Sequence, residues 1–380
     1  MTLAFFINRL NNHQVHIADE FFSLLGDNYF FVETSKPSEQ SKKGSNVDFS
    51  NRPYLVKAWE DVSSMQSAFK LAKDSDIAVF GAESLPFEVY RFKTSNKLAF
   101  ELSERWFKKG WINIFSPRLL KYLWYYKTLF RHKSLYKLCA GAYCANDMYA
   151  IYAFIDRCYK WGYFTKNVDT TLKITDGLLQ TRMMWCGRFL KIKHPELPVL
   201  LAERLRKKGF QFVIDMYGNG EEFNNISQLI QEKNIGEFVR LHGNLPNEEI
   251  LKEMQNHDIF LFTSDRNEGW GAVINEAMAN GCAVVTSDAV GSSPYLVNDG
   301  KTGMLFTSGS VESLEQKVTF LLTHQEVTKE IRNNAMKCIN EIWSPHNAAA
   351  SLLVLIKDLI NGTDTSINEG PCSKALPYKY

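Results

Sequence analysis

The sequence predicts an α/β protein of two domains, each a largely parallel sheet with helices packed on its faces. Three observations predict it. The chain has 380 residues, more than one compact core takes at about 150 residues per domain. Short apolar runs alternate with longer helix-patterned stretches, the order of elements that builds parallel sheets. The alternation lapses over residues 163–180, which reads as a linker, and then resumes more strongly.

In the first half, residues 3–7, 29–33, 77–80, 98–101 and 135–139 read as strands, and 15–25 and 63–73 as helices. The opening run Leu3-Ala4-Phe5-Phe6-Ile7 has no charged segment before it and no small-residue cleavage site after it. It reads as a first strand rather than a signal peptide. Residues 34–53, rich in Ser, Lys, Asn and Pro, read as a surface loop. In the second half the strands are 183–187, 211–216, 238–241, 258–262, 282–286 and 304–306, separated by helices near 196–208, 246–255, 271–280 and 311–322. The expected domains are therefore 1–170 and 171–345, followed by an amphipathic helix over 346–361 and a flexible polar tail over 362–380.

Hydrophobic residues at 45% and charged residues at 23% are globular proportions, and a net charge of +2 offers no global field for nucleic acid. No apolar stretch reaches the roughly 18 residues of a spanning helix. Seven cysteines form no paired framework, and Cys139 and Cys144 read as buried thiols rather than half a zinc site. A reduced, cytoplasmic setting is expected.

The most informative stretch runs from Thr263 to Gly281. An apolar strand enters a polar turn, and Val273, Ile274, Ala277 and Met278 then give a helix one apolar arc. Gly269 and Gly271 let the backbone approach a ligand at the helix start, where N–H groups from Gly269 through Trp270 and Gly271 to Ala272 suit a diphosphate. Glu268 and Glu276, eight residues apart, are placed to accept hydrogen bonds from sugar hydroxyls. Either glutamate alone would read as a helix-end charge or a solvated residue. Taken whole, Glu268-Gly269-Trp270-Gly271 through Glu276-Ala277-Met278-Ala279 and Gly281 resembles the E-x7-E signature of the family 4 retaining glycosyltransferases, of the kind found in bacterial surface-polysaccharide synthesis. Three further segments follow in that family's order. Gly187-Arg188 with Lys193 resembles its G-R-x4-K segment, Gly218-Asn219-Gly220-Glu221 resembles its G-x-G-x-E turn, and His242-Gly243 closes a matching strand.

The resemblance covers roughly residues 183–345 and implies a GT-B fold, two Rossmann-like domains facing across a cleft, with the closing helix returning to the N-terminal domain. It implies transfer of a sugar from a nucleotide-diphosphate donor to a saccharide or lipid-linked acceptor with retention of configuration, and no further cofactor. Arg188 and Lys193 would neutralise the departing diphosphate, Glu268 would hold the transferred sugar and Glu276 the donor ribose, with Gly218 and His242 lining the donor site. In the N-terminal half the family's paired-glycine loop is replaced by Asn11-Asn12-His13-Gln14. Asn12 and His13 are candidates there, and His13 stands open between facing the cleft and merely starting a helix. Asp74-Ser75-Asp76 spells D-x-D but lies at a helix end without the rest of a metal site, so no metal is expected. Two other readings of the chain stand beside this one, a non-catalytic nucleotide-sugar-binding subunit and a GT-B-type epimerase.

From Arg105 to Asn146 there are nine Lys/Arg and no acid. Aromatics interleave with them, which suggests peripheral contact of 105–137 with the inner face of a membrane, against the alternative that the aromatics fill the core.

Overall fold

The computed structural model describes residues 1–36, 48–168 and 180–378. Part of the loop expected over 34–53, and most of the linker expected over 163–180, lie outside the described residues. The chain divides into an N-terminal unit, Met1–Lys166 with Ser344–Tyr380, and a C-terminal unit, Asn167–Trp343.

The N-terminal unit is built on strands β1 (Leu3–Ile7), β2 (Tyr29–Glu33), β3 (Leu55–Lys57), β4 (Ile77–Phe80), β5 (Ala99–Ser103), β6 (Leu135–Ala140) and β7 (Cys158–Trp161). All pair in parallel, in the order β3-β2-β1-β4-β5-β6-β7. Every residue of β1 is buried, as a strand covered on both faces requires. Its side chains alternate between two cores. Phe6 stacks on Phe80 at 5.1 Å, while Phe5 faces Phe21 of helix α1 (Val15–Leu25), also at 5.1 Å. Helix α2 (Val62–Asp74) starts where Asp61 accepts a hydrogen bond from Ser64 N at 2.7 Å. Beyond it, Asp76 accepts from Thr2 N at 2.9 Å, so the D-x-D segment ties the first strand to the fourth.

Helices α3 (Leu85–Thr94), α4 (Pro117–Lys127) and α5 (Tyr143–Ala150) and strands β3 and β7 were not expected from the sequence. Helix α3 hides from periodicity because it buries Glu88 and Arg91. Arg91 donates to the carbonyls of Ala72, Ser75, Asp76 and Leu98 at 2.8–3.0 Å, stapling the end of α2 to the start of β5.

The C-terminal unit carries β8 (Thr181–Cys186), β9 (Phe212–Tyr217), β10 (Val239–Gly243), β11 (Ile259–Phe262), β12 (Ala283–Ser287) and β13 (Met304–Phe306), parallel in the order β10-β9-β8-β11-β12-β13. Helices α6 (Glu196–Lys207), α7 (Phe223–Glu232), α8 (Asn247–Met254), α9 (Val273–Ala279), α10 (Val311–Thr323) and α11 (Gln325–Lys337) connect them; α7 and α11 were not expected. In each sheet the strand order reverses next to the first strand, at β1/β4 and at β8/β11. Open α/β sheets bind ligands beyond the carboxyl ends of strands at such points.

The closing helix, α12 (Pro345–Ile360), is capped by Ser344 and buries Ala348, Ala349, Leu352, Leu355 and Ile356 in the N-terminal unit. The expected flexible tail is a correction: Cys372 N donates to Lys160 O at 2.7 Å and Ala375 N to Cys158 O at 2.9 Å, with Lys374 bridged antiparallel to Tyr159. The reason is the open edge of β7, whose unpaired backbone groups the tail satisfies. Among the described residues no helix is long and apolar enough to cross a membrane.

Candidate active site

At the carboxyl end of β8 the chain passes through Gly187 and Arg188 into a short turn at Lys191–Lys193. That turn is fastened to the end of β11. Thr263 Oγ1 donates to Lys193 O at 2.7 Å and receives Trp185 Nε1 at 2.9 Å, and Asp265 N donates to Ile192 O at 2.9 Å. Two segments some seventy residues apart thus meet at the β8/β11 reversal.

The result is an ion pair between Lys193 Nζ and Glu268 Oε2, with side chains 16% and 18% exposed. Lys193 also lies over the Phe262 ring at 5.2 Å. Arg188 is exposed, and its side chain has no hydrogen-bond or ion-pair partner among the described residues. Glu276 stands in the first turn of α9, and its carboxylate makes no hydrogen bond or ion pair among the described residues. Burial pushes that carboxyl up to about 7. The thiol of Cys186 is pushed up to about 12, by burial first and then by the charge of Glu276, with Lys193 opposing. Glu276 and Lys193 therefore both act on Cys186 through their charges. Of the residues expected at the donor side, the structure brings Lys193, Glu268 and Glu276 to one end of the sheet and leaves Arg188 free at its surface.

Two glycines are dictated by close approach. A Cβ on Gly218, at φ +122°, would lie 2.0 Å from Gly187 O, and one on Gly271, at φ +84°, would lie 2.8 Å from the Phe262 ring. Trp270 is fully buried, donates from Nε1 to Asn275 at 2.9 Å and packs on Trp343. Its ring is core, so only the main chain of Gly269, Trp270 and Ala272 is available to a ligand. His242 stacks on Tyr217 at 4.7 Å and sets Nε2 2.6 Å from Asp215 Oδ1. Asp215 is buried and also receives His257 Nε2 at 3.0 Å and Arg182 Nη2 at 3.2 Å. Burial would raise its carboxyl, but these partners hold it well below the usual carboxylate range. No sequence pattern signals this network, because Arg182, Asp215 and His257 sit inside strands or just before one.

A second polar site lies in the N-terminal unit, a cavity of about 490 Å³ at the carboxyl ends of β1, β4, β5 and β6. Its wall includes Asn11, His13, Gly81, Glu101, Glu104 and Arg105. His13 stacks on Tyr163 at 5.7 Å, and burial lowers its pKa, which favours the neutral ring. Asn12 is half-buried and not part of the wall; its neighbour Asn11 takes that place, its carbonyl receiving the first N–H groups of the turn into α1. Beneath the cavity Lys137 pairs with Glu101, which also accepts from Tyr126 OH at 2.8 Å. Fully buried Glu88 has neither carboxylate oxygen hydrogen-bonded, and burial, then Glu101, drives its pKa well up. The sequence signal for this site was the polar run Ser103-Glu104-Arg105 directly after a strand, two residues beyond the expected strand end.

Residues 180–338 match the family described as Glycosyl transferases group 1. The chain is similar to the poly(glycerol-phosphate) alpha-glucosyltransferase of Bacillus subtilis (strain 168), 29% identical over 133 residues, which are 35% of this chain and only 19% of that protein. Among solved structures it resembles a glycosyltransferase from Rickettsia africae ESF-5 at a TM-score of 0.66 and 14% identity, covering 95% of this chain and 99% of that one. It also resembles Anabaena HepE in complex with UDP and glucose, at a TM-score of 0.64 and 14% identity over 97% of this chain and 100% of that one. At that identity the likeness is one of fold, and the fold is GT-B.

Proposed function

We propose that this chain, whose residues 180–338 belong to the group 1 glycosyl transferases, moves a sugar from a nucleotide-diphosphate donor to a saccharide or lipid-linked acceptor in surface-polysaccharide synthesis. The observation that carries the reading is the Lys193–Glu268 pair at the β8/β11 reversal, beside exposed Arg188 and partnerless Glu276. Cleavage of the bond between the anomeric carbon and the phosphate oxygen leaves negative charge on the diphosphate. Lys193 and Arg188 stabilise that charge, a preorganised cation being worth most where water is excluded. Glu268, which holds Lys193 before the donor arrives, turns its oxygens to the hydroxyls of the transferred sugar. Glu276, with no protein partner to give up, accepts the two ribose hydroxyls. Main-chain N–H groups at Gly269–Ala272 complete the diphosphate cradle. The relative from Bacillus subtilis is named for an alpha-glucosyl transfer, which supports transfer with retention. The structural use of Asp76 supports chemistry without a metal.

The N-terminal unit takes the acceptor in its cavity. Its surface supports contact with an anionic bilayer, since Ile112, Phe115 and Trp124 are 78%, 76% and 59% exposed beside exposed Lys109, Lys121, Lys127 and Arg131. Trp106, Phe107, Tyr122, Tyr126 and Phe130, by contrast, are core and take no part in it. All seven cysteines are unpaired, which supports a reducing, cytoplasmic setting at the inner face of the membrane.

Titrating the full chain with UDP-, GDP- and ADP-sugars tests the reading, by calorimetry and by slow release of free sugar. One nucleotide series should bind and be hydrolysed, the sugar first appearing as the donor's own anomer. Failure of all three to bind removes the proposal. Binding without hydrolysis or transfer to any acceptor leaves a binding subunit.

A further inference from the structure

The N-terminal cavity contains a buried cation, ion-paired with Asp147 at one nitrogen and with two donor nitrogens unused among the described residues. Arg105 is 8% exposed and forms part of the cavity wall. Its guanidinium rests 5.0 Å above the Tyr143 ring, and Nη2 reaches Asp147 Oδ1 only at 3.5 Å. Nε and Nη1 are buried and have no hydrogen-bond partner among the described residues. Asp147 is occupied elsewhere, accepting from Phe107 N at 2.8 Å, and burial raises its pKa despite the arginine. Guanidinium does not lose its proton in a protein, and buried donor groups left without acceptors are costly. Such a group is tolerated where a ligand of opposite charge completes it.

The other charges on the wall do not supply that ligand. Glu101 is taken by Lys137 and Tyr126, and Glu104 by Lys108 and by Tyr163 OH at 2.7 Å. Exposed Arg118 adds a second positive group to the wall. The cavity also lies at the β1/β4 reversal, where a parallel sheet collects its ligands.

We propose that this cavity binds an oxyanion carried by the acceptor, a phosphate or a carboxylate on a sugar or polyol, with Arg105 as its charge partner and Arg118 at its mouth. The proposal rests on the reading of the chain as a sugar transferase whose acceptor enters this unit. It makes the acceptor anionic, and it makes Arg105 a specificity-determining residue.

The full chain, titrated with inorganic phosphate, glycerol 3-phosphate, glucuronate and neutral glycerol, tests it. Phosphate ester or glucuronate should bind where glycerol does not, and whichever binds tighter identifies the oxyanion. Arg105→Gln should raise that Kd at least about tenfold, the scale of a lost charge-assisted hydrogen bond. Arg105→Lys, which keeps the charge without the planar fork, should fall between, and it decides the matter if the glutamine variant melts early. The Arg188→Ala/Lys193→Ala double variant removes phosphate binding at the donor side, and the Arg105-dependent binding should persist in it with the parent's Kd. Unchanged affinity in both Arg105 variants, or loss of the Arg105-dependent binding in the double variant, overturns the proposal. Anion binding through Arg105 in a chain that hydrolyses no nucleotide sugar would keep the site and sink the transferase reading. Transfer to neutral and anionic acceptors alike, indifferent to Arg105, would do the reverse.

Discussion

Each sheet carries a lysine–glutamate pair, one at the β8/β11 reversal and one across the neighbouring strands β5 and β6, and the pairs are built in opposite ways. Lys193 and Glu268 stand on turns after β8 and β11 and keep 16% and 18% of their side chains exposed. Lys137 and Glu101 point inward from within β6 and β5, at 0% and 7%. The first pair can open to a ligand. The second has Tyr126 and Ser103 bonded to it and Glu88 beside it, and is part of the wall. A charged pair serves chemistry where a turn presents it, and architecture where a strand encloses it.

This contrast is broken most directly at Lys137. Lys137→Ala strands Glu101 in the interior and should cost about 3–5 kcal/mol of stability, the scale measured when one partner of a buried pair is removed. Denaturant unfolding that shows a change within experimental error would mean the pair is not structural. Lys193→Ala should do the opposite, leaving unfolding nearly unchanged while lowering turnover about 10²-fold, with less effect on the donor's KM. A rise in KM alone would assign Lys193 to ground-state binding.

Glu276 sharpens the same contrast, being half-buried like the first pair but without a side-chain partner among the described residues. Glu276→Ala should weaken nucleotide binding by about 1–3 kcal/mol. With its carboxyl raised to about 7, the residue is neutral below that pH and ionised above it. Affinity for the nucleotide should therefore fall as pH drops through 7, because the ionised form accepts both ribose hydroxyls. Comparison with Glu276→Gln, calorimetrically, cancels the nucleotide's own phosphate titration; identical pH profiles would remove Glu276 from the site. The smallest expected effect is that of chelation. EDTA should leave turnover unchanged, and a loss restored by manganese or magnesium would show that cations of the chain do not suffice.

The donor-side loops were legible because each consists of contiguous residues whose backbone does the shaping. Gly218 and Gly271 are demanded by contacts of about a carbon radius, so the glycines persist in readable spacing. The expected strands of the C-terminal unit fell within a residue or two of β8–β13 for a related reason, since a fully buried parallel strand is a continuous apolar run. The N-terminal cavity was legible only at His13. Glu101, Arg105, Lys137 and Asp147 come from β5, the loop after it, β6 and α5, and no motif or periodicity links them. Helix α5 was lost for the same reason, Asp147 being polar on the face that is buried. His242 was singled out as a ligand-contacting residue, while the buried carboxylate that orients it carried no signal at all.

The clasp of residues 372–375 on β7 bears on the order in which the molecule is finished during synthesis. The C-terminal unit is one uninterrupted stretch of chain, Asn167–Trp343, and can close as soon as it is made. The N-terminal unit begins first but contains α12 and the clasp, so its sheet edge stays open until residues 372–375 have emerged. On a ribosome the older half is thus the younger domain. Chains truncated after Trp343 should resist protease in their second half and be cut in their first, where an exposed strand edge invites wrong partners in the absence of residues 372–375.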